Sequence, residues 1–272
     1  MEPRLQKQLI VGLVFILIFI LVGYGAYVWI RIEPTCFDNV KNGKEEGVDC
    51  GLVACGKTCE PAIAPLEVIS KDYVASPVGD YDFVAKIRNP NVLYGAVSFS
   101  YNLSFLGQDK TQLAKKTGSS YILPGQTKYV VISSIGGING WTEASFEINS
   151  VQWSKVQSFD TAVNFMIRRQ VFSSGQNGNS ELEAVVFNDS DFDFDKVDVA
   201  IVIFDEAGGI IGAAKTDIRT FLAGTERGFK VQWPYSVDSR AAKTDTEAAT
   251  NLFENQNFLR KYGTQEKFQK FY

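Results

Sequence analysis

Positions 9–30 carry no charge, an apolar run of 22 residues. As a helix rising about 1.5 Å per residue it is roughly 33 Å long, enough to cross a hydrocarbon core of about 30 Å. Tyr24, Tyr27 and Trp29 gather at its C-terminal end, where amphipathic rings favour a membrane–water interface. Further along, the apolar period becomes two. Val97, Phe99, Tyr101, Leu103 and Phe105 alternate with Ser98, Ser100, Asn102 and Ser104. A strand keeps those aromatics on one face and a helix cannot. Segments 129–132, 146–148, 182–187, 197–204 and 229–233 predict further strands, and Gly107-Gln108-Asp109 and Pro124-Gly125 supply turns.

The strand-rich region repeats. Asn89 matches Asn188, Phe105 matches Phe204 and Gly125 matches Gly224, each pair 99 residues apart. That spacing is a domain-sized duplication, and no long helical pattern separates the strands. The expected fold is all-β: two tandem Ig-like sandwiches, residues 66–156 and 160–258, after a membrane helix and a small disulfide-rich segment. Residues 1–8 are expected in the cytoplasm, 9–30 as an uncleaved single-pass anchor, and 31–65 as a cysteine-rich spacer. No small-residue cleavage site follows the apolar run, which argues against a removed signal peptide. Residues 259–272 form a basic aromatic tail in which Arg260, Lys261, Lys267 and Lys270 face only Glu266. Phe268, Phe271 and Tyr272 there share a helical face.

Cys36, Cys50, Cys55 and Cys59 are the only cysteines, in a segment too short and polar for its own core. Outside the cytoplasm two disulfides are expected, and spacing does not choose among the three pairings. Structural zinc is the rival, although the paired C-x2-C knuckles typical of zinc are missing. Within the same segment Asp38, Asn42, Glu45 and Asp49 partly mimic a calcium loop, with Val40 where a ligand side chain belongs. A second candidate calcium set is Asp191, Asp193 and Asp195. In an extended segment they share one face, opposite Phe192 and Phe194. The competing reading is solvated acid outside and Phe inside.

Two stretches resemble known families. Cys36, Asp38, Asn42, Gly43, Glu45, Val48, Asp49, Cys50 and Gly51 resemble a cysteine-rich motif of bacterial surface proteins, with Leu52 where a second Gly is usual. Asn188-Asp189-Ser190, the run 200–212 with Phe204-Asp205, and Leu222-Ala223-Gly224-Thr225 resemble FxLYD domains. The first repeat keeps Asn89-Pro90-Asn91 and Leu123-Pro124-Gly125-Gln126-Thr127 but has Leu106-Gly107 after Phe105. The resemblance implies an Ig-like fold in a bacterial envelope protein and no common catalytic site.

Composition narrows the chemistry. The 272 residues include no histidine, which excludes Ser-His-Asp and Cys-His triads and His-ligated metals. A net charge of −4 argues against nucleic acid as a partner. Gly208-Gly209-Ile210-Ile211-Gly212 lacks the Gly-Lys-Ser/Thr ending of a phosphate loop and predicts a hairpin turn. The functional expectation is a non-catalytic binding or scaffolding protein. It is anchored in the cell membrane with its sandwiches outside, takes an envelope or cell-surface protein as partner, and has no cofactor beyond calcium. The alternatives are an accessory subunit of a secretion or pilus-type machine, or a polysaccharide-acting enzyme using paired carboxylates.

Overall fold

Alternation in the sequence becomes antiparallel pairing throughout the computed structural model. It describes residues 3–30, 36–59, 62–77, 79–156, 163–174, 178–237 and 241–262. The chain divides into two compact units, 1–62 and 63–272. In the first, α1 (Pro3–Ile30) contains the charge-free run and is long and apolar enough to cross a membrane. Its middle turns carry exposed apolar side chains.

The cysteine segment is pinned by two bridges, Cys36–Cys55 and Cys50–Cys59, which interleave along the chain. Its only regular element among the described residues is the single turn α2 (Leu52–Cys55). Gly47 is required here: a Cβ on it would stand 2.7 Å from Cys50 Sγ and 2.9 Å from Cys59 Sγ.

In the second unit, the described residues form twelve strands. The first six are β1 (Glu67–Ala75), β2 (Tyr81–Arg88), β3 (Tyr94–Leu106), β4 (Gln112–Ile122), β5 (Thr127–Ile135) and β6 (Glu143–Lys155). The second six are β7 (Phe165–Ser174), β8 (Ser180–Asn188), β9 (Phe194–Phe204), β10 (Ile210–Phe221), β11 (Glu226–Trp233) and β12 (Lys243–Ala249). Sheet orders β1-β2-β5 and β4-β3-β6 recur as β7-β8-β11 and β10-β9-β12, so the duplication read from spacing is a duplication of topology. Both repeats turn between their fourth and fifth strands on a left-handed glycine, Gly125 and Gly224, each at φ 63°. Only a residue without Cβ takes that conformation readily.

Each sandwich has its own core. Phe83, Ala85 and Ile87 of β2 meet Phe99, Leu103 and Phe105 of β3 in the first. Leu182, Ala184 and Val186 of β8 meet Val199, Ile201 and Ile203 of β9 in the second. The helix α3 (Gln256–Tyr262) follows, and its Phe258 is buried edge-on against Phe192. Arg260 and Lys261 of the basic tail lie in α3, whereas Lys267, Phe268, Lys270, Phe271 and Tyr272 lie outside the described residues.

β2 and β9 are apolar on both faces, and the second face has a distinct use. Val84 and Val131 pack on Val202 and Ala213, with Tyr129, Ala200, Phe204 and Ile210 around them. The outer face of β1-β2-β5 thus lies on the outer face of β10-β9-β12. Four sheets stack as one body, with a third apolar layer between the sandwiches. We refer to that layer as the seam.

Candidate functional site

Polar groups edge the seam, and tyrosine–carboxylate pairs bridge it. Tyr121 Oη donates to Asp198 Oδ2 at 3.2 Å, Tyr129 Oη to Asp245 Oδ2 at 3.1 Å, and Tyr235 Oη to Asp82 Oδ2 at 3.2 Å. In each pair one residue belongs to the first sandwich and the other to the second. The Tyr129 N–H donates to Glu247 Oε2 at 3.1 Å, and Asn251 Nδ2 to the Val97 carbonyl at 3.3 Å. Strand pleating explains the placement. Asp82 shares a face of β2 with Val84, and Asp245 and Glu247 share a face of β12.

Beside these bridges a cleft of about 700 Å³ opens between the sandwiches. Lys128, Tyr121, Ser98 and Ser119 line it from the first, and Asp198, Glu247, Thr250 and Asn251 from the second. Lys128 is only 5% exposed. Its Nζ stands 3.7 Å from the centroid of the Tyr121 ring, a cation–π contact. Among the described residues no acceptor lies within hydrogen-bonding distance of that ammonium. The ammonium keeps access to the cleft, so its donors are met by solvent or by whatever enters.

Burial sets the local electrostatics. It pushes Lys128 down to about 8, although Glu247 and Asp198 pull the other way. It pushes Glu247 up to about 7 against the opposing field of Lys128 and the hydrogen bond from Tyr129. Burial also raises Tyr121 and Tyr235, with Asp198 and Asp82 adding to it. Asp82 is itself raised by burial, against hydrogen bonds from the Ser134 N–H and Tyr235. The cleft therefore presents Lys128, Lys196 and Lys215, the easily protonated Glu247 among other carboxylates, and several hydroxyls. It is equipped to hold a polar ligand by hydrogen bonds.

Of the acids singled out in the sequence, Asp195 lines the cleft and the others lie elsewhere. In the cysteine segment Asp49 accepts the N–H groups of Asp38 and Asn39, at 3.0 and 2.9 Å. Asp38 accepts the Val40 N–H and Asn42 Nδ2, and buried Glu45 accepts the N–H groups of Asn42 and Asp49, each at 3.2 Å. These carboxylates tie the loop together. Cys36, Glu45 and Cys55 bring one ligand-type atom each within 4.8 Å of one another, but both sulfurs are in a disulfide and offer no thiolate.

Asp191, Asp193 and Asp195 are exposed, alternating with buried Phe192 and Phe194. Asp193 accepts the Ala223 N–H at 2.8 Å, and Asp191 pairs with Lys261 at 3.6 Å. Asp195 lines the cleft together with Asp198. Gly208 and Gly209 form the β9–β10 turn, closed by Asp205, which accepts the Gly209 N–H at 2.8 Å. Lys128, Tyr121 and Glu247 escape the sequence reading. The available signal is a lysine two and four positions before Val130 and Ile132, and two acids spaced by two in a Thr/Ala-rich segment.

No protein-family model and no curated protein matches the sequence. Among solved structures, red sea bream transglutaminase aligns over 72% of this chain and 30% of its own length, at 7% identity and a TM-score of 0.24. The calcium binding domain CBD12 of CALX1.1 aligns over 60% of this chain and 75% of its own, at 15% identity and a TM-score of 0.20. Parabacteroides merdae β-glucuronidase aligns over 62% and 28%, at 10% identity and a TM-score of 0.22. Similarity at this level does not extend to function.

Proposed function

We propose that this chain is a membrane-anchored binding protein of the bacterial cell envelope, with its sandwiches outside the cytoplasm and the cleft beside the seam as its contact site. The ammonium of Lys128, on a nearly buried side chain that opens on that cleft, carries the reading. A partner's carbonyl, carboxylate or hydroxyl oxygen would complete its hydrogen bonds. The charge-free α1 supplies the anchor, and the disulfides suit an oxidising compartment. The FxLYD-type and cysteine-motif resemblances support an envelope protein and no shared chemistry.

The test places a photoreactive residue at Ser98 or Ser119 in the intact chain in native membranes. A discrete crosslink that Lys128→Met abolishes supports the reading. Turnover of a cell-wall or polysaccharide substrate, lost on a single Asp or Glu substitution, overturns it. Protease added outside the cytoplasmic membrane is expected to digest the part after α1, and protection of that part overturns the orientation.

A further inference from the structure

The cysteine segment has its apolar side chains on the outside. Phe37 is 91% exposed, Val53 81% and Leu52 62%. The bridges hold them there. Phe37 follows Cys36, Leu52 and Val53 belong to α2, and Cys36–Cys55 brings these two pieces to a Cα separation of 5.6 Å. Neither piece can turn inward, because the interior is taken by the sulfurs and by Glu45 with its backbone hydrogen bonds. Three large apolar groups are thus held exposed, on pieces joined by the Cys36–Cys55 bridge, by a covalently fixed body.

What covers them follows from position in the chain. Phe37 lies seven residues after Ile30, the end of α1, a tether that spans at most about 25 Å. Tyr24, Tyr27 and Trp29 mark the end of α1 as the interfacial end. A body on so short a tether stays beside the bilayer surface, and the chemistry of Phe, Leu and Val matches the boundary between headgroups and acyl chains. Three lysines, Lys41, Lys44 and Lys57, stand against Asp38, Glu45, Glu46 and Asp49 in this segment, so charge supplies no net attraction to anionic lipid.

We infer that the disulfide-bonded segment docks on the membrane surface through Phe37, Leu52 and Val53, a second, interfacial contact beside α1. The inference rests on the reading of α1 as a membrane anchor. Docking is apolar and so independent of anionic lipid content and of salt. The segment would then act as a foot that fixes the direction in which the chain leaves the membrane.

The experiment uses the intact chain reconstituted in phosphatidylcholine vesicles, with acyl chains brominated near the headgroup or near the bilayer centre. Trp29 reports α1, measured as the difference between the native chain and Trp29→Phe. Val53→Trp, or Leu52→Trp as an independent variant, is made in the Trp29→Phe background and reports the cysteine segment. A thiol count by mass confirms that both bridges have formed in each. Docking predicts about twofold quenching of the introduced indole by the shallow bromines, a blue-shifted emission, and no change with added phosphatidylglycerol or salt. Adding Phe37→Asp is expected to reverse both signals. Quenching of Trp29 with an unquenched, water-exposed indole at position 53 overturns the docking and leaves the anchor standing. An indole shielded from aqueous quencher yet untouched by brominated lipid also overturns it, in favour of a protein cover. Failure of both bromine positions to quench Trp29 overturns the anchor and the docking with it.

Discussion

Asn89 and Asn188 hold the same buried position in the two sandwiches and lock the same turn. Asn89 Nδ2 donates to the carbonyls of Tyr94 and Leu123, at 2.7 and 3.0 Å. Asn188 Nδ2 donates to those of Phe192 and Leu222, at 2.8 and 3.1 Å. Their backbone N–H groups follow suit, donating to the Gln126 and Thr225 carbonyls at 2.9 and 3.0 Å. One amide ties the end of the second strand to the entry of the third and to the glycine turn.

Replacing either asparagine by Ala leaves buried carbonyls without donors. Asn89→Ala and Asn188→Ala are each expected to cost about 1–3 kcal/mol. Urea unfolding of the intact chain in detergent checks this. Asn188 also heads an Asn-x-Ser sequon, and being fully buried it should remain unmodified in a glycosylating host, which mass measurement reads directly.

Glu247 and Lys128 give the seam an unusual pH response. Glu247 in the folded chain titrates at about 7, above its ordinary 4.5. Its contribution to stability is therefore full below pH 4.5 and lost as pH rises through about 7. Lys128 titrates at about 8, below its ordinary 10.5. Its contribution is full above 10.5 and lost as pH falls through about 8. Between those values both groups are charged, and stability should dip. Lys128→Met with Glu247→Leu is expected to remove the dip and match or exceed the native chain by about 1–4 kcal/mol. Thermal unfolding from pH 5 to pH 10 measures it.

Gly47→Ala is expected to block Cys50–Cys59 while Cys36–Cys55 still forms, because its Cβ would occupy the space of both sulfurs of the first pair. Alkylation without reduction should label two thiols. The cysteine segment should lose roughly 2–4 kcal/mol.

Across the seam, Phe253 of the second sandwich fills the space that a side chain at Gly95 would need. Gly95→Ala should be destabilising, and Phe253→Ala should cost about 3 kcal/mol by leaving a cavity. The double variant should cost less than the two added together, since the ring that meets the new methyl is gone. Relief stays partial because Pro124 Cδ lies 2.9 Å from the same point. A double-mutant cycle on the intact chain reads the coupling.

The core-facing pattern was legible residue by residue. Phe99, Leu103 and Phe105 alternate so regularly that only a strand fits, and the 99-residue spacing of Asn89 and Asn188 gave away the repeat. β12 was illegible, because Lys-Thr-Asp-Thr-Glu-Ala-Ala has little strand preference and is extended by pairing with β9. The cleft was illegible for a related reason. Nothing local tells Lys128 that Glu247 will stand near it, since their proximity follows from Val84 and Val131 packing on Val202 and Ala213. The two calcium-like acid sets were visible in sequence because their spacing is local, and the structure uses much of that spacing for turns and N–H groups.

The seam joins unlike faces: a β1-β2-β5 sheet in one copy meets the counterpart of β4-β3-β6 in the next. A contact of that kind does not close on itself, and a third copy could add to either end. The two terminal surfaces differ from the seam in composition. One carries Ser100, Asn102 and Ser104, with Ser100 hydrogen-bonded to Ser150. The other carries Glu181 and Glu183 joined to Lys230, and Arg168 joined to Glu226. Exchanging those serines and acids for valine would make both terminal surfaces apolar like the seam, each able to accept a further layer.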